Sequence, residues 1–125
     1  MRMRFIDLHN DAVTCLNSAR LAKHIAKAEK AGVETIIMSV WTTEMQDPLR
    51  QIKHYRKILD DIGTNIKLLL HIEDAWFVNE QNISEFIELK PYSVGLTWNT
   101  NNNLAEVRMG IVGLHRLAKL LLANV

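Results

Sequence analysis

The sequence predicts an α/β fold of four strand–helix units around a parallel sheet, about half of a TIM-type (β/α)8 barrel. Short β-rich runs alternate with longer segments of helical periodicity. The units recur at intervals of about 30 residues, which suits parallel strands joined by crossover helices. No Pro/Gly-rich linker or low-complexity tract divides the 125 residues, so residues 1–125 are expected to form a single domain. A complete small α/β domain is the alternative, and both architectures place chemistry at the carboxyl ends of the strands.

Start and stop signals define the individual elements. Gly32 follows a helical pattern as a C′ residue would, and residues 34–41 form a β-branched run typical of a strand buried on both faces. Asp47 and Pro48 have the pattern of an N-cap followed by proline at the first helical position. The predicted elements are strand 4–8, helix 16–31, strand 34–41, a helix from Pro48 that Gly63 ends, strand 66–72, helix 83–89, strand 92–97, and a final helix with the apolar stripe Leu114, Leu117, Leu120 and Leu121.

The composition is that of an ordinary soluble globular protein, with 48% hydrophobic and 23% charged residues. Lys and Arg total 15 against 14 Asp and Glu, so no charge excess predicts a nucleic acid or an anionic membrane as partner. The single cysteine, Cys15, excludes an internal disulfide and favours a reducing compartment. No apolar run approaches the roughly 20 residues of a membrane span, and no signal-peptide pattern is seen. A cytoplasmic location is expected.

The first predicted strand ends in a His-x-Asp pair, His9 and Asp11. Residues i and i+2 of an extended chain point to the same side, so an imidazole and a carboxylate at this spacing can converge on one metal ion. The triplet is also common by chance. The alternative interpretation is that Asp11 caps a turn and His9 is only a polar residue at a strand end.

Two further strand ends carry polar residues. Glu73 follows the third strand, where its two carboxylate oxygens could bridge two divalent ions, or where it could be a solvated acid. After the fourth strand, Trp98 and Asn99 open an Asn-rich segment of low helix and strand preference, as in a polar loop over a pocket. Trp98 would form a ligand-binding wall there or anchor the core.

In this order along the chain, the segments resemble the membrane (renal) dipeptidase family of zinc hydrolases. That family opens with Asp-x-His-Asn-Asp after its first strand, matched here by residues 7–11. An Ile-Glu pair at a later strand end is matched by Ile72 and Glu73, and a Leu-Thr segment followed by Asn-x-Leu-Ala is matched within residues 95–105. The Gly113-Leu114 pair resembles the Gly-Leu-Thr that precedes the next helix of the family. The resemblance spans nearly the whole chain.

The resemblance implies a site and a reaction. His9 and Asp11 would ligate one Zn2+, and Glu73 would bridge it to a second. A metal-activated hydroxide would cleave the peptide bond of a dipeptide or a related small amide, often with a D-residue on the carboxyl side. Trp98 and Asn99 would lie near the substrate, and Glu73 would be required for catalysis.

The chain also departs from the family pattern. Many members carry a histidine where this chain has Trp98. The second metal of the family is held by histidines of later strands that lie beyond Val125, so at most one Zn2+ is expected from this chain alone. A homo-oligomer or a complementary C-terminal half is the expected partner. The alternative function is a non-catalytic remnant, a metal-binding or oligomerising module that keeps the fold without activity.

Overall fold

Four parallel strands form one sheet, and helices connect them. The structure, a computed structural model, describes residues 4–41, 47–73, 75–95 and 115–124. The elements in chain order are β1 (Phe5–Asn10), α1 (Ala12–Cys15), α2 (Ser18–Lys30), β2 (Val33–Val40), α3 (Pro48–Asp60), β3 (Lys67–Ile72), α4 (Ile83–Glu88) and β4 (Ser93–Val94), and residues 115–124 are also helical.

The helix boundaries follow the local chemistry of the sequence. Asp47 caps α3 by accepting a hydrogen bond from the Arg50 backbone N–H at 3.1 Å, with Pro48 in the first turn. Gly32 follows the C-cap of α2 and has a φ of 95°, a backbone conformation that residues with a Cβ rarely adopt. Both predicted signals are therefore confirmed.

The helix predicted over residues 16–31 begins two residues later than predicted, at Ser18. Leu16 is extended, with φ −108° and ψ 149°, so the chain leaves the short helix α1 at this residue. Asn17 then accepts a hydrogen bond from the Arg20 backbone N–H at 2.9 Å and becomes the N-cap of α2. The short helix α1 was not predicted, because four residues are too few to show helical periodicity.

The strands lie in chain order, β1-β2-β3-β4, and all three pairings are parallel. The β2–β3 ladder is regular and joins Thr35–Val40 to Lys67–Ile72. The β3–β4 pairing comprises two register pairs, His71 with Ser93 and Ile72 with Val94. The predicted parallel β/α architecture is confirmed at this level.

The helices cover one face of the sheet. Side chains alternate along a strand, so Ile36, Met38 and Val40 share one face of β2, and all three are fully buried. The next residues along, Thr35 and Ile37, face the other way and are only half-buried. The buried face packs with apolar residues of the helices in one core, to which Leu21, Ile25, Leu49, Ile52, Leu59, Ile83, Phe86 and Leu117 belong.

Strand β1 carries a β-bulge next to its carboxyl end. Leu8 and His9 together lie opposite the single residue Ile37 of β2. A bulge of this kind bends the strand and re-aims a side chain, and bulges are frequent beside active sites. The flanking register pairs are Asp7 with Ile36 and Asn10 with Met38.

Within the described ranges, no helix is both long enough and apolar enough to cross a bilayer.

Candidate metal centre

Three side chains from two strand ends converge at one end of the sheet. His9 is the penultimate residue of β1, Asp11 follows β1 directly, and Glu73 follows β3 directly. One nitrogen of the imidazole and one oxygen from each carboxylate all lie within 4.8 Å of one another. Glu73 lies more than sixty positions after His9 and Asp11 in the sequence. In the sheet, β2 lies between β1 and β3 and so sets the distance between the two strand ends.

Backbone hydrogen bonds hold Glu73 at the end of its strand. The Glu73 N–H donates to the Val40 carbonyl at 2.9 Å, which extends the β2–β3 ladder by one residue. On the other side, the Gly95 N–H donates to the Ile72 carbonyl at 2.7 Å. A Cβ added at Gly95 would lie 3.2 Å from the Glu73 carbonyl oxygen, so glycine permits this close approach of the chain after β4.

The other residues of the first motif build the turn that carries His9 and Asp11. The Asp7 carboxylate accepts from the His9 backbone N–H at 3.1 Å and from the Asn10 side-chain amide at 2.8 Å. Asn10 in turn accepts from the Ala12 backbone N–H at 2.9 Å. Asp7 and Asn10 therefore shape the backbone of the motif, a role that the sequence analysis did not assign to them.

The His9 imidazole is held by a residue of the neighbouring strand. Its Nδ1 lies 3.1 Å from the hydroxyl oxygen of Ser39, and Ser39 is fully buried. With Nδ1 engaged, Nε2 is the ring nitrogen directed at Asp11, 3.0 Å from the carboxylate oxygen Oδ1.

Asp11 provides an independent test of whether these residues suit a cation. Its Oδ1 atom is buried, yet it has no hydrogen-bond partner among the residues that the structure describes. The His9 Nε2 atom lies within ion-pair distance of this oxygen, but the pair lacks the geometry of a hydrogen bond. A buried carboxylate oxygen without a donor is costly, and a bound cation would satisfy it.

The donor set fits zinc. One imidazole nitrogen and two carboxylates are all groups that bind Zn2+, and three protein ligands with an open position are typical of catalytic zinc sites. The His9 and Asp11 side chains are 59% and 44% exposed, so a small ligand can reach them from solvent. Among the described residues, this is the one cluster of three or more His, Cys, Asp or Glu side chains with metal-binding geometry.

A second His–Ser pair lies beside the triad on the same face of the sheet. His71 is the register partner of Ser39, and its Nδ1 lies 2.7 Å from the Ser93 hydroxyl oxygen on β4. Ser39 was not predicted. The available signal was a single polar residue within the apolar run 36–40.

The remaining predicted residues stand as follows. Trp98 and Asn99, predicted to bind substrate, lie outside the described residues. His115 lies next to Leu114 and Leu117 of the apolar stripe, a pattern that predicts a helix-surface residue, and it is exposed on helical residues 115–124. The helical pattern and basic neighbours of His24 predict a solvated side chain, but the structure has it half-buried, with its Nε2 3.1 Å from the Asn10 side-chain amide.

Searches against protein-family models, curated proteins and solved structures found no match to this chain. A functional assignment therefore depends on the sequence motifs and on the geometry of the site.

Proposed function

We propose that the chain carries the first-metal half of the active site of a zinc-dependent dipeptidase-like hydrolase. The observation that carries the proposal is the convergence of His9, Asp11 and Glu73 within 4.8 Å. These residues are the ones that the resemblance to the membrane dipeptidase family singles out as ligands. The unsatisfied Asp11 oxygen supports a cation at this position.

A partial (β/α)8 barrel is the fold we propose for this site. The strand order follows the chain order, which is the order of strands around such a barrel. In doubly wound sheets the strand order reverses at a switch point and helices cover both faces. The half-buried Thr35 and Ile37 on the face opposite the helices support the barrel, whose interior this face would form.

In this proposal the chain's own residues bind the metal ion and orient the groups around it. His9 Nε2 and the carboxylates of Asp11 and Glu73 would hold Zn2+, and the Ser39 hydroxyl lies 3.1 Å from the other ring nitrogen of His9. Zinc, when bound, supplies Lewis-acid polarisation of water and of the substrate carbonyl. Glu73 has two oxygens, so it can contribute one to the ion and accept a proton or a hydrogen bond with the other. The substrate, a dipeptide or a related small amide, would approach from the exposed side of His9 and Asp11.

A partner is part of the proposal, because both ends of the sheet are open in the described residues. On the β1 edge, Ile6 and Leu8 are 61% and 73% exposed, which is unusual for large apolar strand residues. On the β4 edge, a cavity of about 450 Å³ opens among Phe86, Tyr92 and Leu117. A second copy of the chain or a complementary C-terminal half would cover these edges and supply further metal ligands.

One observation favours a second candidate function, a metal-binding module without hydrolysis. The described residues contain a single triad, whereas the family reaction uses two ions. Such a module would bind one metal ion and oligomerise through the same open edges.

Hydrolysis of a panel of L,L- and L,D-dipeptides by the purified chain with added Zn2+ tests the proposal. We expect zinc-dependent turnover that a chelator abolishes, because the triad would hold one ion within reach of solvent and a second copy of the chain would supply the further ligands. Release of free amino acids, followed by chromatography, is the measurement. A folded, zinc-loaded chain that hydrolyses none of the dipeptides would contradict the enzyme and support the non-catalytic module.

A further inference from the structure

The Ser39 hydroxyl occupies an unusual position in the fold. Ser39 is the one polar residue among the fully buried residues that the structure describes. It lies in β2 between the apolar residues Met38 and Val40, but its side chain points to the opposite face of the sheet. A buried hydroxyl is costly without a hydrogen-bond partner, and the contact with His9 Nδ1 at 3.1 Å satisfies it.

The backbone of Ser39 is held by two contacts. The β2–β3 ladder places Ser39 in register with His71. On the side of β1, the Thr14 hydroxyl of α1 donates to the Ser39 backbone carbonyl at 3.2 Å. Ser39 is therefore anchored through its backbone as well as through its side chain.

The bulge of β1 explains why His9 and Ser39 meet. Leu8 and His9 share one position opposite Ile37, so His9 is re-aimed relative to a regular strand. The exposed imidazole, whose side chain is 59% accessible, would otherwise have free rotation about its side-chain bonds. Its contact with a rigid, buried partner selects one orientation of the ring.

We propose that Ser39 is a positioning residue for the metal centre: its hydroxyl accepts a hydrogen bond from His9 Nδ1–H and thereby presents the Nε2 lone pair to the ion. This inference rests on the proposed zinc site. Ligating histidines commonly donate their other ring N–H to an oxygen, which fixes both the tautomer and the ring orientation. Ser39 does not itself bind metal or substrate.

The chain contains a matched control for this contact. Ser93 and His71 form the same kind of pair, hydroxyl oxygen to Nδ1, on the same face of the sheet. The His71 imidazole is not a member of the triad. Removing the Ser93 hydroxyl therefore deletes a chemically equivalent hydrogen bond without affecting the orientation of His9.

The test is a zinc titration, by competition with a chromophoric chelator, of the wild-type chain and the variants Ser39→Ala, Ser39→Thr and Ser93→Ala. We expect Ser39→Ala to weaken zinc binding by about 10- to 100-fold, the usual loss when such an outer partner is removed. Ser39→Thr, which keeps the hydroxyl, should restore most of the affinity, and Ser93→Ala should bind as the wild type does. An equal loss in Ser39→Thr would assign the effect to packing and overturn the inference.

Two outcomes separate this inference from the proposed function. Unchanged affinity in Ser39→Ala would overturn the role of Ser39 and leave the zinc site standing, whereas a wild-type chain that binds no zinc would overturn both. Nitrogen-15 NMR of the zinc-loaded wild type is a second test, which does not depend on the folding of any variant. It should find the His9 proton on Nδ1 and the metal on Nε2, and the opposite assignment would overturn the inference.

Discussion

Replacing His9 with alanine is expected to weaken zinc binding by more than about 100-fold, beyond the loss typical of an outer-shell partner. His9 provides the single nitrogen of the triad, and without it two carboxylates remain. Two carboxylates without a third protein ligand leave an incomplete site for Zn2+. The variant should still fold, because the His9 side chain is 59% exposed, although the buried Ser39 hydroxyl loses its partner at a cost of about 1–3 kcal/mol. Isothermal titration calorimetry with Zn2+ measures the dissociation constants of the two chains.

The control for this prediction is His54→Ala. His54 is an exposed residue of α3 whose ring lies near Tyr55, and it belongs to no metal-binding cluster of the described residues. The His54→Ala substitution removes one imidazole from the chain but leaves the triad intact, so zinc affinity should not change. Equal losses in both variants would mean that zinc binds histidines of the chain unspecifically, against the proposed site.

Replacing Glu73 with glutamine is expected to lower kcat/KM for dipeptide hydrolysis by on the order of 1000-fold, equivalent to about 4 kcal/mol of transition-state stabilisation. The side chain keeps its size, and the backbone contact of Glu73 with Val40 is unaffected. The charge is lost, and one oxygen becomes an amide NH2 that cannot ligate a cation. Steady-state kinetics on the best substrate of the panel, at saturating zinc, measures the effect.

Glu85→Gln is the matched control for the loss of a carboxylate. Glu85 is an exposed residue of α4 and pairs with Lys53 at 3.1 Å. Exposed ion pairs contribute about 0–1 kcal/mol, so folding and hydrolysis should both be close to wild type. Wild-type rates in Glu73→Gln would remove Glu73 from the reaction and contradict its assignment.

Capping and turn residues in the sequence predicted several of the helix boundaries. The capping pattern of Asp47 and Pro48 and the glycine at position 32 depend on neighbouring residues, and the structure has both as predicted. The start of α2 was predicted two residues early because the capping role of Asn17 was not recognised, and α1 is too short to show helical periodicity. The strand order also lies beyond local signals, because it depends on pairings between residues far apart in the sequence.

Of the candidate site, only the three possible metal ligands could be predicted from the sequence. The spacing of His9 and Asp11 and the position of Glu73 at a strand end are visible in the sequence, and the structure brings these three residues together. Their role as zinc ligands stays a prediction, as do the roles of Trp98 and Asn99. Ser39 was not found, because its contact with His9 depends on the bulge in β1 and on the register of β1 with β2.

The central claim is that Zn2+ binds where β1 and β3 end. Diffraction data collected on either side of the zinc absorption edge, from zinc-soaked crystals of the chain, test it most directly. We expect one anomalous peak in contact with His9 Nε2 and with the carboxylates of Asp11 and Glu73. A peak at His71 or His115 instead, or no peak in crystals that contain the folded chain and excess zinc, would contradict it.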